Sequence, residues 1–396
     1  MTMDQDLLRK LSSVDRRSFL RTGLTAAGFA LAANATGVRS VAQTTNRKFV
    51  PVQVSRNRVI REIVGLRPFR PEGFVVEAER VGSKLLIHNY GHGGAGITLS
   101  WGTATQAVDL LKDFPQPVPS RRTAKPSHRH YAVIGCGVNG LSTARMLQRR
   151  YQDGPGTVTI YARDLPPETT SNIAAGYWSP VSLYDDEAVT AKWKQQYREA
   201  ARISNRAYQL LVGPEYGVRW LDIFTLHNSE AEMGGLAGGS SLYPNQMIHR
   251  DPANYFGVPV VRQFSSMIIE PPIYLRSLLR DFYNAGGRLV VKEFKSRDEV
   301  MRLSESVIFN CSGLGARALF GDEKLIPARG QLEVLLPQPE IDYAYIGAGH
   351  MFPRSDGILL GGTFDRNDWS LEVNPQQSNQ ILNTHIEMMK GVRAAG

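Results

Sequence analysis

The stretch that decides the fold runs from His130 to Asp164 and reads HYAVIGCGVNGLSTARMLQRRYQDGPGTVTIYARD. It predicts a short apolar strand over residues 130–134, followed directly by a glycine turn over residues 135–140. A helix follows, because Leu141, Ala144 and Leu147 recur at helical spacing. A second apolar strand is predicted over residues 157–162. Strand, glycine turn, helix and strand in this order are typical of a dinucleotide-binding unit.

Each glycine of the turn has a separate physical task. Gly135 permits the tight turn, Gly137 lets the backbone approach a pyrophosphate, and Gly140 lets helix and strand pack closely. The free N–H groups and the positive dipole end of the helix then favour phosphate. Asp164 follows Gly140 by 24 residues, close to the spacing expected for an acidic residue that binds ribose hydroxyls, although Arg163 stands beside it.

Composition limits the class of protein. The chain has 396 residues, 42% hydrophobic and 21% charged, which predicts two or three ordinary globular domains. The formal net charge is +9, but residues 1–46 carry six Lys/Arg and three Asp/Glu, which leaves +6 for the rest. Because no basic stripe is interleaved with aromatic residues, a nucleic-acid partner is not expected. No apolar run is long enough to span a membrane, and the two cysteines, Cys136 and Cys311, do not form a disulfide framework.

The N-terminus predicts export. The sequence DRRSFLR at residues 15–21 is followed by a weakly apolar, uncharged stretch over residues 22–33. This layout is typical of a twin-arginine signal peptide, for which we assign residues 1–42, and the twin-arginine translocation machinery would then be a partner. Small residues at 33–35 and 40–42 offer two cleavage sites. An amphipathic or merely disordered basic tail is the alternative.

Several further blocks resemble the D-amino acid oxidase family. The stretch TTSNIAAGYWSP at 169–180 resembles its flavin-contacting segment, and NCSGLGA at 310–316 with RGQ at 329–331 resembles its later FAD-domain motif. The sequences LGGTF at 360–364 and NDWS at 367–370 resemble a strand and turn of its substrate domain. GLRPFRP at 65–71 and HNYGHGGAGITLSWG at 88–102 resemble its C-terminal signatures.

The resemblance implies an α/β fold with a Rossmann-type FAD-binding domain and an α+β substrate domain with a mixed sheet. FAD would be the cofactor, and no metal is expected. His88 and His92 are four residues apart, but their glycine-rich surroundings do not favour a metal pair on a helix. The residues that would bind FAD are Gly135, Gly137, Val138, Asn139, Gly140, Arg163, Asp164, Thr169, Thr170, Ser171, Ala175, Gly176, Phe294, Ser312, Gly93, Gly94, Ala95, Gly96, Ile97 and Thr98.

The order of the blocks departs from the family. There the glycine turn opens the chain and the Gly-His-Gly-Gly block closes it, whereas here the closing segment comes first. We therefore expect a circular permutant, which is tolerated when the original termini lie close together at the surface. The expected domains are residues 47–112 as the permuted C-terminal segment of the FAD domain, 113–130 as a linker, 131–180 with 271–325 as the FAD-binding domain, and 181–270 with 326–392 as the substrate domain.

The rest of the chain predicts regular elements. Helices are expected over residues 187–211, 273–283 and 376–390. Strands are expected over residues 218–224, 331–336 and 357–361, and strands at 288–294 and 306–310 should return to the nucleotide-binding domain.

The resemblance also implies three catalytic residues. Arg67 matches the family arginine that grips the substrate carboxylate, although an arginine with a purely structural role in an Arg-Pro-Phe-Arg-Pro turn is the alternative. Gly94 matches the glycine whose carbonyl accepts from the substrate amine. His350 aligns with the position of a carboxylate-binding tyrosine. In such an enzyme a D-amino acid passes a hydride from Cα to FAD and oxygen reoxidises the flavin, giving a 2-oxo acid, ammonia and hydrogen peroxide.

Departures from the family leave the substrate open. A protonated His350 would favour acidic D-amino acids; alternatively it marks a different substrate or bonds only a neighbouring carbonyl. Tyr343 or Tyr345 could replace a lid tyrosine, and Ser179 stands where the family often has glutamine. The alternatives to a D-amino acid oxidase are a flavoenzyme for D-aspartate, glycine or sarcosine, one that uses another electron acceptor, and a flavin-binding protein without turnover. The oligomeric state does not follow from the sequence.

Overall fold

The computed structural model describes residues 49–114, 130–151, 157–250 and 256–392. Contacts divide the chain after Asn46, and every described residue lies in the second unit, Arg47–Gly396. The predicted signal peptide and most of the predicted linker lie outside the described residues. In the part of the chain that is described, we find no helix both long and apolar enough to cross a bilayer.

Two sheets organise the described residues. Their strands are β1 (Val59–Phe69), β2 (Val75–Val81), β3 (Lys84–Tyr90), β4 (Tyr131–Ile134), β5 (Val158–Ala162), β6 (Val218–His227), β7 (Met247–His249), β8 (Val260–Ile269), β9 (Arg288–Val291), β10 (Val307–Asn310), β11 (Ile326–Leu335), β12 (Tyr343–Ile346), β13 (His350–Arg354), β14 (Gly357–Gly361) and β15 (Asp365–Arg366). The helices are α1 (Gly96–Asp109), α2 (Val138–Tyr151), α3 (Thr170–Ile173), α4 (Ala191–Gln209), α5 (Pro271–Asn284), α6 (Arg297–Met301), α7 (Gly315–Phe320) and α8 (Pro375–Lys390).

The smaller sheet is the nucleotide-binding sheet. Its six strands run in the order β2-β3-β10-β4-β5-β9. Strands β3, β10, β4, β5 and β9 are parallel, and β2 pairs antiparallel with β3 at the edge. All four residues of β4 and of β10 are buried, as expected for central strands covered on both faces. The predicted strand–turn–helix–strand unit is confirmed, as are the two strands expected to return to this sheet.

The larger sheet is mixed. Its strands run in the order β1-β11-β14-β13-β12-β6-β8-β7, and β15 pairs with β11. Strand β12 lies parallel to β6, whereas the other pairings are antiparallel. The predicted fold class, a Rossmann-type sheet together with an α+β part built on a mixed sheet, is therefore confirmed.

The first strand differs from the sequence-based domain assignment. Residues 47–112 were expected to lie wholly with the nucleotide-binding sheet, but β1 pairs with β11 along nearly its whole length, from Val59↔Leu335 to Phe69↔Ile326. Only β2, β3 and α1 of this segment belong to the smaller sheet or pack on it. Segment 47–112 therefore contributes to both sheets.

Local signals explain the helix ends. Helix α4 begins where the Thr190 hydroxyl accepts from the backbone N–H of Trp193 at 3.1 Å. Helix α8 begins where the Asn374 side chain accepts from the N–H groups of Gln376 and Gln377. The helices predicted over residues 187–211, 273–283 and 376–390 are all present, each with slightly different ends.

Candidate active site

The first glycine turn has the close packing that its sequence predicts. Gly135 has a φ of +108°, which favours glycine. A Cβ on Gly140 would lie 2.0 Å from the Gly135 carbonyl oxygen, and one on Gly137 would lie 3.2 Å from the Ser171 hydroxyl. The Ser171 hydroxyl accepts from the Val138 N–H at 3.0 Å, which ties α3 to the beginning of α2.

A second glycine turn meets the first. Gly93 has a φ of +50°, and a Cβ there would lie 2.4 Å from the Ser182 carbonyl oxygen. The Gly94 N–H donates to that same oxygen at 2.8 Å. Gly96 begins α1, and its Cβ position lies 3.6 Å from the Asn139 amide nitrogen. The N-termini of α1 and α2 are thus neighbours, and both present N–H groups and positive dipole ends to the same region.

His92 joins the two turns. Its Nδ1 accepts from the Asn139 amide at 3.1 Å, and its Nε2 donates to the Thr103 hydroxyl at 3.2 Å. Thr103 donates to the Leu99 carbonyl, so the proton of His92 resides on Nε2. The ring is 1% exposed, and burial lowers its pKa to about 3. His92 is therefore a neutral residue that orders the glycine loop, as the sequence suggested.

These residues fit FAD. The Asn139 Oδ1 atom is buried and has no hydrogen-bond partner among the described residues, so it needs a donor from outside the protein. A hydroxyl group of the cofactor would supply that donor, while the N–H groups of the helix ends would suit its pyrophosphate. A Cβ at 93 or 140 would meet a backbone oxygen within 2.4 Å, so glycine at these positions lets the two turns pack closely.

The expected ribose-binding residue is already paired. Asp164 follows β5 as predicted, but both of its carboxylate oxygens accept from the Arg163 guanidinium, at 2.6–3.1 Å. Glu293 lies 3.7 Å from the same arginine. Phe294 places its ring in a hydrophobic cluster with Ile134 and Ile308, so its side chain supports the sheet.

The other predicted cofactor residues lie around the two turns. Ser312 follows β10 and donates to the Asn310 side chain at 2.6 Å. Thr169 precedes α3 and donates to the Asn172 side chain at 2.8 Å, and Thr170 begins that helix. The remaining predicted FAD-binding residues follow α3 or lie at the beginning of α1: Ala175, Gly176, Ala95, Ile97 and Thr98. A Cβ on Gly176 would lie 2.0 Å from a carbonyl of β8. The role of these residues in FAD binding stays a prediction.

Arg67 lies on the face of the large sheet that α3 covers. The neighbouring Gly65 faces Ile173 of α3, and the Arg67 guanidinium occupies the space that a Cβ on Gly330 would fill, 2.2 Å from that position. Arg67 donates a long hydrogen bond of 3.4 Å to the Ala328 carbonyl. Burial lowers the pKa of Arg67, and Asp365 opposes that effect. Among the described residues no carboxylate forms an ion pair with Arg67, which leaves its fork available to a ligand carboxylate.

His350 shares this face. It pairs with Gly361 across the strands, and its Nε2 lies 2.3 Å from where a Cβ on Gly361 would stand. Burial lowers the pKa of His350 to about 3, and the charges of Arg67 and His385 act in the same direction. The ring is therefore neutral at physiological pH. This low pKa argues against the interpretation in which a protonated His350 attracts acidic substrates.

Tyr343 and Tyr345 lie on the opposite face. Tyr345 pairs with Met351, next to His350 in sequence, so its side chain points away from Arg67. Its hydroxyl donates to His385 Nδ1 of α8 at 2.6 Å, and the Tyr343 hydroxyl donates to the Val50 carbonyl at 2.8 Å. Both tyrosines are fully buried, and neither can serve as a lid over the site.

The sequence analysis missed Tyr177. Its ring stacks on Phe352 with centroids 5.1 Å apart, and His350 lies 5.3 Å from the same phenylalanine. Tyr177 stands inside the quoted 169–180 block, but only the register of β13 shows that it reaches the sheet face. Within the described ranges, no group of three His, Cys, Asp or Glu side chains is arranged to hold a metal ion.

Comparisons with known proteins identify relatives of the chain. Residues 13–110 and 130–395 match the model of a family described as FAD dependent oxidoreductase (DAO). The chain is 30% identical over 273 residues to a D-amino acid oxidase from Dugesia ryukyuensis, covering 66% of this chain and 78% of that protein. It is 30% identical over 257 residues to D-aspartate oxidase from Homo sapiens, covering 63% and 73%. Glycine oxidase from Bacillus cereus ATCC 14579 superposes with a TM-score of 0.48 at 14% identity, covering 65% of this chain and 77% of that structure.

Proposed function

The chain belongs to the FAD-dependent oxidoreductase (DAO) family, and we propose that it oxidises D-amino acids to imino acids with FAD as cofactor. The observation that carries the proposal is the half-buried Arg67 guanidinium, which forms no ion pair with a carboxylate of the described residues and lies on the sheet face covered by α3. Ser171 connects α3 to the first glycine turn, because its hydroxyl accepts from the Val138 N–H. These contacts support a cofactor cradle that lies next to an anchor for a substrate carboxylate.

Bound FAD supplies the two-electron acceptor for the hydride of the substrate Cα. Arg67 binds the carboxylate with two parallel hydrogen bonds, which fixes both position and orientation. The Gly94 carbonyl is the proposed acceptor for the substrate amine, and the bond from the Gly94 N–H to the Ser182 carbonyl holds this loop in place. His350 stays neutral and contributes a hydrogen bond without adding charge. The buried walls formed by Phe352 and Leu332 exclude water from the reacting groups.

The test is anaerobic reduction of the flavin. The full-length protein is purified with FAD and mixed without oxygen with separate D-amino acids, their L-enantiomers, D-aspartate, glycine and sarcosine. We expect the oxidised-flavin absorbance to bleach with D-enantiomers only, and oxygen to restore it with formation of hydrogen peroxide. If only glycine or sarcosine bleaches the flavin, the substrate is one of these small amines and not a D-amino acid. A stable yellow protein that no amine reduces would contradict an enzymatic role.

We also propose that the protein is exported by the twin-arginine route to the periplasm or the medium. The paired Arg16 and Arg17, followed by Phe19, Leu20 and a mild apolar stretch, support this proposal. When Arg16 and Arg17 are both replaced by lysine in a bacterium with this route, the protein should remain in the cytoplasm with its leader uncleaved. Fractionation and the mass of the protein measure this. An unchanged distribution would contradict export by this route.

A circular permutation of the family chain remains our interpretation of the motif order, with the domain boundaries given above except for β1. Two observations support it. The Gly-His-Gly-Gly block precedes the dinucleotide motif, and the first described residues pack on the last helix, where the Val52 N–H lies 3.2 Å from the Met389 sulfur. Relatives whose Gly-His-Gly-Gly block also precedes their glycine turn would contradict the permutation.

A further inference from the structure

Three polar side chains with unused hydrogen-bonding capacity line one face of the large sheet. They are Arg67 on β1, His350 on β13 and Tyr177 after α3. Each is partly accessible to solvent, yet each is surrounded closely enough by protein for burial to be the main cause of its pKa shift. The accessible part of each side chain is where a ligand would meet it. In the described ranges, the His350 ring has no hydrogen-bond partner, and the Tyr177 hydroxyl has the Ser179 side chain as its partner.

Tyr177 lies at the far end of this face from Arg67. His350 is close enough to Arg67 for the arginine charge to lower the pKa of the histidine. Phe352 lies next along β13, 5.3 Å from His350, and Tyr177 is stacked on it at 5.1 Å with ring planes 17° apart. The Tyr177 backbone bridges to Ile268 of β8, which holds the ring in place. A substrate whose carboxylate binds Arg67 would therefore extend its side chain toward Tyr177.

A proton count shows which part of the Tyr177 hydroxyl can bind a ligand. Tyr243 donates its proton to the Ala237 carbonyl at 2.8 Å. At the 3.2 Å contact between Ser179 and Tyr243, Ser179 must therefore be the donor. Ser179 is also the hydrogen-bond partner of Tyr177, and because the serine proton goes to Tyr243, Tyr177 is the donor of that bond. The Tyr177 oxygen remains as an acceptor for a ligand, which favours a substrate side chain that carries an N–H or O–H donor.

The charged residues around this sheet face decide which substrate side chains can bind near Tyr177. Arg366, the next cation near Arg67, forms a two-pronged ion pair with Asp185, and Arg354 forms one with Asp356. Asp365 adds negative charge near Arg67, and His350 is neutral. A carboxylate in the substrate side chain would therefore lose its hydration without gaining a cation. An amide or hydroxyl needs only the hydrogen bonds that Tyr177 offers.

We propose that Tyr177 is a specificity-determining residue whose hydroxyl binds the substrate side chain, and that the enzyme selects D-amino acids with uncharged, hydrogen-bonding side chains. This inference rests on the proposed oxidation of D-amino acids. D-Asparagine, D-aspartate and D-leucine test it because their side chains have nearly the same shape. Kcat/KM should be roughly 100-fold higher for D-asparagine than for D-aspartate, and about tenfold higher than for D-leucine.

The variant Tyr177→Phe keeps the stacked ring and removes only the hydroxyl. We expect kcat/KM for D-asparagine to fall about tenfold, while that for D-leucine changes less than about twofold. Tyr216→Phe is the matched control, because Tyr216 donates to Asp281 of α5, away from the sheet face, and it should leave all three values unchanged. Equal losses for the three substrates in Tyr177→Phe, or D-aspartate as the preferred substrate, would overturn the proposal.

A binding measurement separates this inference from the proposed reaction. Succinamate, succinate and 4-methylpentanoate are the analogues of the three substrates that lack the amine and cannot be oxidised. Calorimetric titration of the FAD-loaded protein should give the lowest Kd for succinamate, and Tyr177→Phe should remove its advantage over 4-methylpentanoate. If no D-amino acid is oxidised but this pattern holds, the proposed function fails and the side-chain site stands. If D-amino acids are oxidised and the three Kd values are equal, the side-chain site fails alone.

Discussion

Replacing Arg67 by glutamine is expected to lower kcat/KM for D-amino acids about 1,000-fold. The guanidinium is enclosed between Gly330 and the Phe364 ring, whose centroid lies 5.5 Å away. A carboxylate that enters this place loses its water, and Arg67 alone compensates for that loss. Removing one partner of such a desolvated charge pair costs about 3–5 kcal/mol, which corresponds to a factor of hundreds to thousands.

Arg67→Lys distinguishes charge from geometry. Lysine keeps the positive charge but makes no paired, parallel hydrogen bonds, so the substrate would be held with less defined orientation. We expect an intermediate loss of about 10- to 100-fold, with both kcat and KM affected. The measurement is steady-state kinetics together with the FAD content of each variant, which should equal that of the wild type.

Arg61→Gln is the matched control, since Arg61 lies on the same strand and pairs with Asp356 at 2.8 Å on the surface. It should change kcat/KM by less than about twofold, because exposed ion pairs contribute little. If Arg67→Gln loses no more activity than Arg61→Gln, then Arg67 has the structural role that its Arg-Pro-Phe-Arg-Pro setting allows, and the carboxylate binds elsewhere.

The nucleotide-binding half follows from local sequence. Glycine at 135, 137 and 140 can be interpreted without a structure because backbone sterics and helix-end chemistry act over a few residues. The strand at 306–310 was also predictable, since buried parallel strands form continuous apolar runs. The assignment of His92 to loop ordering was correct because the glycine-rich context excluded a helix.

The substrate half depends on contacts between distant residues. Nothing near β1 in sequence indicates that it pairs with β11, more than 250 residues later in the chain. The lid role suggested for Tyr343 and Tyr345 failed because a shift of one residue in strand register moves a side chain to the other face. His350 carries no local sign of its low pKa, which results from burial and from Arg67 far away in sequence. Tyr177 is recognisable only after Phe352 is placed beside it.

Acid should destabilise the fold steeply between about pH 6.5 and pH 4. His92 and His385 are buried and neutral, and burial lowers their pKa values to about 3 and about 4. In the unfolded chain both titrate near 6.5, so below that pH the unfolded state binds more protons than the folded state. Stability that is complete above pH 6.5 is therefore lost as the pH falls, at ~1.4 kcal/mol per pH unit for each histidine. Unfolding by urea at a series of pH values measures this slope.

Hydrogen bonding explains why neither ring accepts a second proton. His385 Nδ1 accepts from the Tyr345 hydroxyl at 2.6 Å, and its Nε2 donates to the Gly361 carbonyl at 3.2 Å. His92 Nδ1 faces the Asn139 amide, which is itself a donor. A proton on Nδ1 of His92 would meet this donor in a buried place, and the glycine loop would have to open to admit water. We therefore expect FAD to be released over the same pH range.

His385→Gln isolates one of the two contributions, because a glutamine amide can replace both hydrogen bonds without titrating. Between about pH 6.5 and pH 4, the free energy of unfolding of the variant should fall by ~1.4 kcal/mol less per pH unit than that of the wild type. His130→Gln, at an exposed position before β4, should follow the wild-type curve. The carboxylates that titrate in acid are common to all three proteins, so the differences report on the histidine alone. Parallel curves for His385→Gln and the wild type would show that His385 is already protonated in the folded protein, which would contradict its burial as a neutral ring behind Gly361.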